Sequence, residues 1–177
     1  MDAYRCLVTK RDLRNYTDRG IDRTVLLQIL RAGRRSGSAR NRQPWQFIVV
    51  TDREILRRLA RCGWFAAHLG AAAAVVLVTV ESTRDLFDAG RCAQNLMLAG
   101  SSLGVASCPA TLHRATEVRR VLALPDDLVV GTAIAFGYPH PRGRSRRERL
   151  ALAIIAGRGR KPLETLVHWD RYGNRTG

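Results

Sequence analysis

Three stretches of the sequence gather charged and small polar side chains that could meet a small anionic partner. The first, Lys10-Arg11-Asp12-Leu13-Arg14, packs four charges into five residues. The second runs Ser36-Gly37-Ser38-Ala39-Arg40-Asn41-Arg42-Gln43-Pro44-Trp45 and mixes small residues, amides and cations ahead of a proline. The third is Gly159-Arg160-Lys161-Pro162-Leu163-Glu164, close to the C-terminus. A phosphate monoester carries about −1.5 to −2 charges at neutral pH. Each charge-assisted hydrogen bond to it contributes roughly 1.5–3 kcal/mol. Three or four such cations therefore supply most of the ~8–12 kcal/mol that micromolar-to-nanomolar binding requires. Taken alone, the first stretch also reads as solvated surface, and the second as a loop between a helix and a strand.

Other chemistries lack their residues. No GxGxxG follows a strand, and neither a GxxxxGK[ST] loop nor a GxSxG elbow occurs. His68, His113, His140 and His168 lie far apart, and Cys6, Cys62, Cys92 and Cys108 form no CxxC or CxxH pair, so no metal site is expected. The carboxylates are few and unpaired on any helical face, which weakens an acid–base hydrolase mechanism. Reactivity is expected to come from a bound cofactor.

The 177 residues carry 30 Lys+Arg against 15 Asp+Glu, a net charge of +15, with 46% hydrophobic residues. That content fits one domain spanning residues 1–177 and excludes a disordered chain. Only Lys10 and Lys161 are lysines. A sequence pI near 11.3 raises a nucleic-acid partner. Against it, the arginines are spread along the chain, and the one dense run, Arg142–Arg149, reads as a solvated loop with no aromatics interleaved. Met1–Lys10 has no apolar core of signal-peptide length, and Gly70–Val80 is too short to cross a bilayer. With scattered cysteines, the expectation is a cytoplasmic protein with no membrane partner.

The elements that must position the three stretches follow from periodicity. Residues 2–9 predict a short helix, and Asp22 an N-cap for a helix with Val25, Leu26, Ile29, Leu30 and Gly33 on one face. Ser36–Asn41 predicts a loop, Trp45–Thr51 a strand, and Asp52 the cap of a helix burying Ile55, Leu56 and Leu59. Ala73–Val80 predicts a buried strand. Asp88–Leu103 predicts a long helix with the stripe Ala89, Cys92, Ala93, Leu96, Met97, Gly100 and Leu103. Then come a strand Val105–Cys108 ending at Pro109, a helix Ala115–Leu122, a strand Leu128–Phe136 and a short helix at Leu163–Val167. The pattern is α+β.

In this order the segments KRDLRNY, SGSARNRQPWQFIVV, DAGRCAQNLMLAGSSLGVASCPATL, LALPDDLVVGTAIAFGYP and GRKPLETLVHWDRYG resemble the flavin-dependent nitroreductase family over nearly the whole chain. The resemblance implies a central, mostly antiparallel sheet flanked by helices. It also implies an intertwined homodimer with FMN at the subunit interface, and NAD(P)H as electron donor. The reaction it implies is ping-pong reduction of a nitroaromatic, quinone or enone-like acceptor.

By position, Lys10, Arg11 and Arg14 match the family's phosphate- and flavin-contacting segment, with Arg14 able to reach the pyrimidine edge instead. Arg160 and Lys161 match its C-terminal phosphate contacts. Gly37, Ser38 and Ala39 match the stretch against the flavin ring, and Asn41 and Gln43 polar contacts to the ribityl chain or pyrimidine edge. Ala110, Thr111 and Leu112 match the segment whose backbone N–H groups face flavin N5.

Two residues depart from the family pattern. Asp12 stands where many members have Ser, and is expected to orient Arg11 or Arg14; Leu112 stands where many have Gly. Acid at position 12 resembles a flavin-fragmenting, benzimidazole-synthase-like subset, which with a dehalogenating branch forms the alternative reaction. A basic nucleic-acid-binding protein on a degenerate enzyme fold is the alternative of another class. The small-residue stripe is expected at the dimer interface.

Overall fold

A computed structural model describes residues 2–145, 148–150, 153 and 159–175. The chain divides into two compact units, Met1–Arg144 and Ser145–Gly177. In the first unit the order is α1 (Ala3–Thr9), α2 (Arg23–Arg34), β1 (Trp45–Val50), α3 (Arg53–Ala60), β2 (Ala74–Val80), α4 (Leu86–Ser102), β3 (Ala106–Ala110), α5 (Ala115–Leu122) and β4 (Val129–Gly137). Aspartates hold the N-cap positions of α1, α2 and α3, and Asp22 and Asp52 are the caps that the sequence predicts. Asp2 accepts from Arg5 N at 3.0 Å, and Asp52 from Glu54 N and Ile55 N at 2.9 Å each. Asp22 holds the N-cap position of α2 without a side-chain cap bond.

The four strands form one sheet in the order β1-β2-β4-β3, with every pairing antiparallel. Strand β2 is buried at all seven positions, because helices cover both faces of the sheet. Val75 and Leu77 point into a core with Leu56, Leu59, Leu69 and Val118, from α3, α5 and the turn between α3 and β2. Val76, Val78 and Val80 point into the opposite core with Ile29, Leu96 and Phe136, under α2 and α4. The alternation is the two-residue period of a strand, and burial on both faces turns it into one continuous apolar run.

Four expectations are corrected. Strand β3 runs through Pro109 rather than ending there; it is an edge strand, where a missing N–H breaks no inner ladder. Ser36–Asn41 is not plain loop but contains a 3-10 turn, Ala39–Asn41. The α4 stripe Ala89, Cys92, Ala93, Leu96, Met97 and Gly100 is buried in the chain's own core, while Leu103 caps the helix and is 39% exposed. The outward face of α4 instead carries Phe87, Gly90, Arg91 and Gln94. The C-terminal helix is a single 3-10 turn, Leu163–Thr165.

The run Arg142–Arg149 begins as a turn and is helical from Glu148, where Ser145 Oγ accepts the Glu148 N–H at 3.1 Å. Its Arg146 and Arg147 lie outside the described residues. In the second unit, His168 and Tyr172 stack at 4.4 Å, and Gly173 N donates to His168 Nδ1 at 3.0 Å.

Candidate active site

After α1 the chain turns along the outer edge of β3. Asp12 makes a parallel bridge with Ser107, and Leu13 N donates to Ser107 O at 3.1 Å. This backbone docking sets the charged stretch against the sheet. Arg14 Nε donates to Cys108 Sγ at 3.4 Å, and His68 Nε2 lies 3.4 Å from Cys108 O. Burial lowers the His68 pKa below its ordinary value, and the nearby Arg14 charge lowers it further. Burial raises the Cys108 thiol, with Arg14 acting against that rise.

Lys10 forms an ion pair with Asp12 and also reaches Met97 Sδ at 3.4 Å, its side chain only 10% exposed. The acid thus orients Lys10, not Arg11 or Arg14 as expected. Arg11 is exposed, with Nη1 folded back on Val8 O at 2.8 Å. Lys10, Arg11, Leu13, Ser107 and Pro139 help line a cavity of about 340 Å³. Ser107 Oγ is buried there without a hydrogen-bond partner among the described residues. Beyond β3, neither Thr111 nor Leu112 engages its backbone N–H in a hydrogen bond among the described residues. This ridge therefore offers cations, one orphaned hydroxyl and two backbone donors, a set suited to an anionic ligand with a polar ring.

The second stretch is held by α4 and its N-cap residue, between Asp85 and Asn95. Arg42 pairs with the buried carboxylate of Asp85. Asn95 Nδ2 donates to Ser36 Oγ at 2.8 Å. The Arg91 guanidinium covers Gly37, with Nη2 only 2.7 Å from where a Cβ would sit. Gln43 N donates to Ser38 Oγ at 2.8 Å, and Gln43 Nε2 to Asn41 O at 3.4 Å. Arg40, Asn41 and Gln43 have φ of 54°, 54° and 50°, left-handed values. Each such residue costs on the order of 1–3 kcal/mol and persists only where its surroundings over-determine it. Arg34, Arg35, Ser36, Asn41 and Gln43 line a polar cavity of about 350 Å³. Ala39, Arg40 and Asn41 are exposed.

The structure thus brings Lys10, Arg11 and Arg14 to the ridge that continues into Ala110, Thr111 and Leu112. It holds Gly37, Ser38, Ala39, Asn41 and Gln43 as a second group, tied to a different part of α4. Arg160 and Lys161 are exposed residues of the second unit.

Residues 7–64 and 63–138 match the Nitroreductase family. The chain belongs to the nitroreductase family. A candidate NADH dehydrogenase/NAD(P)H nitroreductase of Archaeoglobus fulgidus is 30% identical over 149 residues, covering 78% of this chain and 86% of its own length. The solved structure of a candidate NADH dehydrogenase/NAD(P)H nitroreductase from Bacteroides thetaiotaomicron superposes with TM-score 0.82 at 25% identity, covering 96% of this chain and 98% of that one. A candidate nitroreductase from Desulfovibrio desulfuricans, solved in complex with FMN, superposes at 0.80 with 25% identity, covering 97% and 99%. The nitroreductase fold anticipated from the sequence is the fold of this chain, and among its described residues no helix is long and apolar enough to cross a membrane.

In this nitroreductase-family chain, sequence reasoning missed the residues that hold the site. Asp85, Arg91 and Asn95 lie 43 to 59 positions from their partners or on an outward helix face, where no local pattern marks them. His68 lies far in sequence from the other histidines, and its contact with Cys108 spans 40 positions. The left-handed run had one legible signal, since Asn41 is of a type that tolerates that conformation. Trp64, stacked on His113, carried none.

Proposed function

We propose that the chain is an FMN-dependent oxidoreductase that takes electrons from NAD(P)H and reduces electron-poor acceptors such as nitroaromatics, quinones or enones, donor and acceptor using one pocket in turn. The observation that carries this reading is the ridge, where cations on one side of β3 run into two unengaged backbone donors at Thr111 and Leu112. The residues fit FMN, because its phosphate needs cations and its ring edge needs donors. FMN, when bound, supplies the two-electron chemistry.

The protein's own part is binding and orientation. Arg11 and Arg14 are exposed and positioned to meet an anion, Arg11 the phosphate and Arg14 the pyrimidine edge. A fixed cation at that edge favours negative charge developing there, without reorganisation at the moment of transfer. Lys10 reaches a phosphate only by loosening its pair with Asp12. Backbone N–H groups of Ala110, Thr111 and Leu112 orient the reactive ring edge. Arg160 and Lys161 join the proposal on the family resemblance alone, as does the view that residues 1–177 act as one functional domain.

The second group, Gly37, Ser38, Ala39, Asn41 and Gln43, serves a flavin shared between two copies of the chain in a homodimer. What supports this is surface chemistry. Tyr4 is 75% exposed, Leu7 53% and Phe87 76%, a load of apolar side chains better placed under a partner. Four free thiols, all buried, suit the cytoplasm.

The experiment is the absorption spectrum of the purified protein, followed by anaerobic addition of NADH and NADPH. A flavin spectrum that bleaches with at least one donor is expected. A colourless chain that takes up no added FMN contradicts the reading.

A further inference from the structure

The turn Cys62–Phe65 is welded to the segment that leaves β3. Gly63 lies so close to Thr111 that a Cβ would sit 2.3 Å from the Thr111 carbonyl oxygen, so only glycine fits. Arg114 N donates to Cys62 O at 3.0 Å, closing the join from the other side. The weld fixes the residue between these contacts. Trp64 stacks on His113, ring centroids 4.6 Å apart and planes within 16°.

Trp64 is nevertheless 77% exposed and its neighbour Phe65 70%. Folding gains little from either ring in that position. A large aromatic held rigidly, covered by His113 on one face and open on the other, is built to receive a planar group. His113 directly follows Ala110–Leu112, so the Trp64–His113 pair stands on the same segment as the backbone donors of the ridge.

We infer that Trp64, backed by His113, is the stacking platform that receives the planar, electron-poor ring of the acceptor and sets the enzyme's preference for such acceptors. This rests on the FMN reading above, which places the reacting ring at Ala110–Leu112. Indole is electron-rich, so its face attracts electron-poor rings such as quinones and nitroarenes more than it attracts compact inorganic oxidants. Trp64 is a specificity-determining residue here; it takes no part in electron or proton transfer.

The test uses the FMN-loaded protein and its Trp64→Ala and Trp64→Phe variants, with p-benzoquinone and ferricyanide as acceptors. Trp64→Ala is expected to lower the ratio of kcat/KM for quinone to that for ferricyanide by about threefold to tenfold, the worth of one aromatic stacking contact. The loss falls on the quinone KM, and Trp64→Phe restores most of the preference. An unchanged ratio in Trp64→Ala overturns the assignment, and so does loss of FMN or of the oligomeric state, which would make Trp64 structural. A wild-type chain that takes up no FMN removes the reading beneath instead, so the two failures are distinguishable.

Discussion

The ridge at Lys10–Arg14 and the segment Gly37–Gln43 carry similar residue types but are held by opposite means. The ridge docks through backbone, with Leu13 N on Ser107 O and Asp12 bridged to the same residue of a regular strand. Its Arg14 side chain is exposed and donates to Cys108 Sγ, while the backbone bonds hold the frame. The segment has no strand to lean on. It is held by side chains of α4 and its approach, including Asp85, Arg91 and Asn95, and keeps three residues left-handed. Ligand affinity and stability should therefore separate on the ridge and travel together in the segment.

The largest effect that sharpens this contrast is on the ridge. Arg14→Ala should weaken FMN binding by about tenfold to a hundredfold, the loss of one charge-assisted contact of roughly 1.5–3 kcal/mol. Titration followed by flavin fluorescence reads it, with thermal stability nearly unchanged. A variant that binds FMN as tightly as the wild type would remove Arg14 from the site.

In the segment, Asp85→Ala should cost about 1–2 kcal/mol, because it frees Arg42 and the turn it ties down. That corresponds to a drop of roughly 2–8 °C in melting temperature for a chain of this size. FMN affinity should fall with it, and a drop in stability alone would break the comparison. A smaller change of opposite sign is expected from Arg40→Gly, which relieves a left-handed non-glycine residue and should stabilise by about 0.5–1 kcal/mol in calorimetry.

The weakest expected effect is a pH slope on the ridge. His68 has its pKa lowered in the fold from 6.5, so the unfolded chain takes up a proton first. Its neutral form is accommodated fully above that value, and stability falls as pH drops through it toward the lowered native pKa. Chemical denaturation across this range should show the slope, and His68→Gln should flatten it.

Much of the frame was legible because local rules decided it. Asp52 capped its helix, the seven-residue apolar run became a strand buried on both faces, and the Ile55, Leu56, Leu59 spacing chose the inward side of α3. The errors have one origin, which is that neighbours in space were invisible. Pro109 looks like a strand end until the strand proves to be an edge. The small-residue stripe of α4 fits an interface or a core equally well, and only the packing of Ile29, Val78 and Phe136 against it decides for the core. Asp12 turned to Lys10 because the chain folds back on β3, a geometry that adjacency to Arg11 conceals. The cluster of cations that forms the ridge was legible, because Lys10, Arg11 and Arg14 are neighbours in the chain. The left-handed run at Arg40 was not, since arginine gives no hint of it.

The central claim is that the ridge holds FMN through its own cations and the backbone donors that follow β3. Titrating the flavin-free protein with FMN, and with riboflavin lacking the phosphate, tests it most directly. The account predicts saturable FMN binding in the micromolar range or tighter, and riboflavin weaker by at least about tenfold, one charge-assisted contact's worth. Equal affinity for the two would contradict it, as would failure of either to bind.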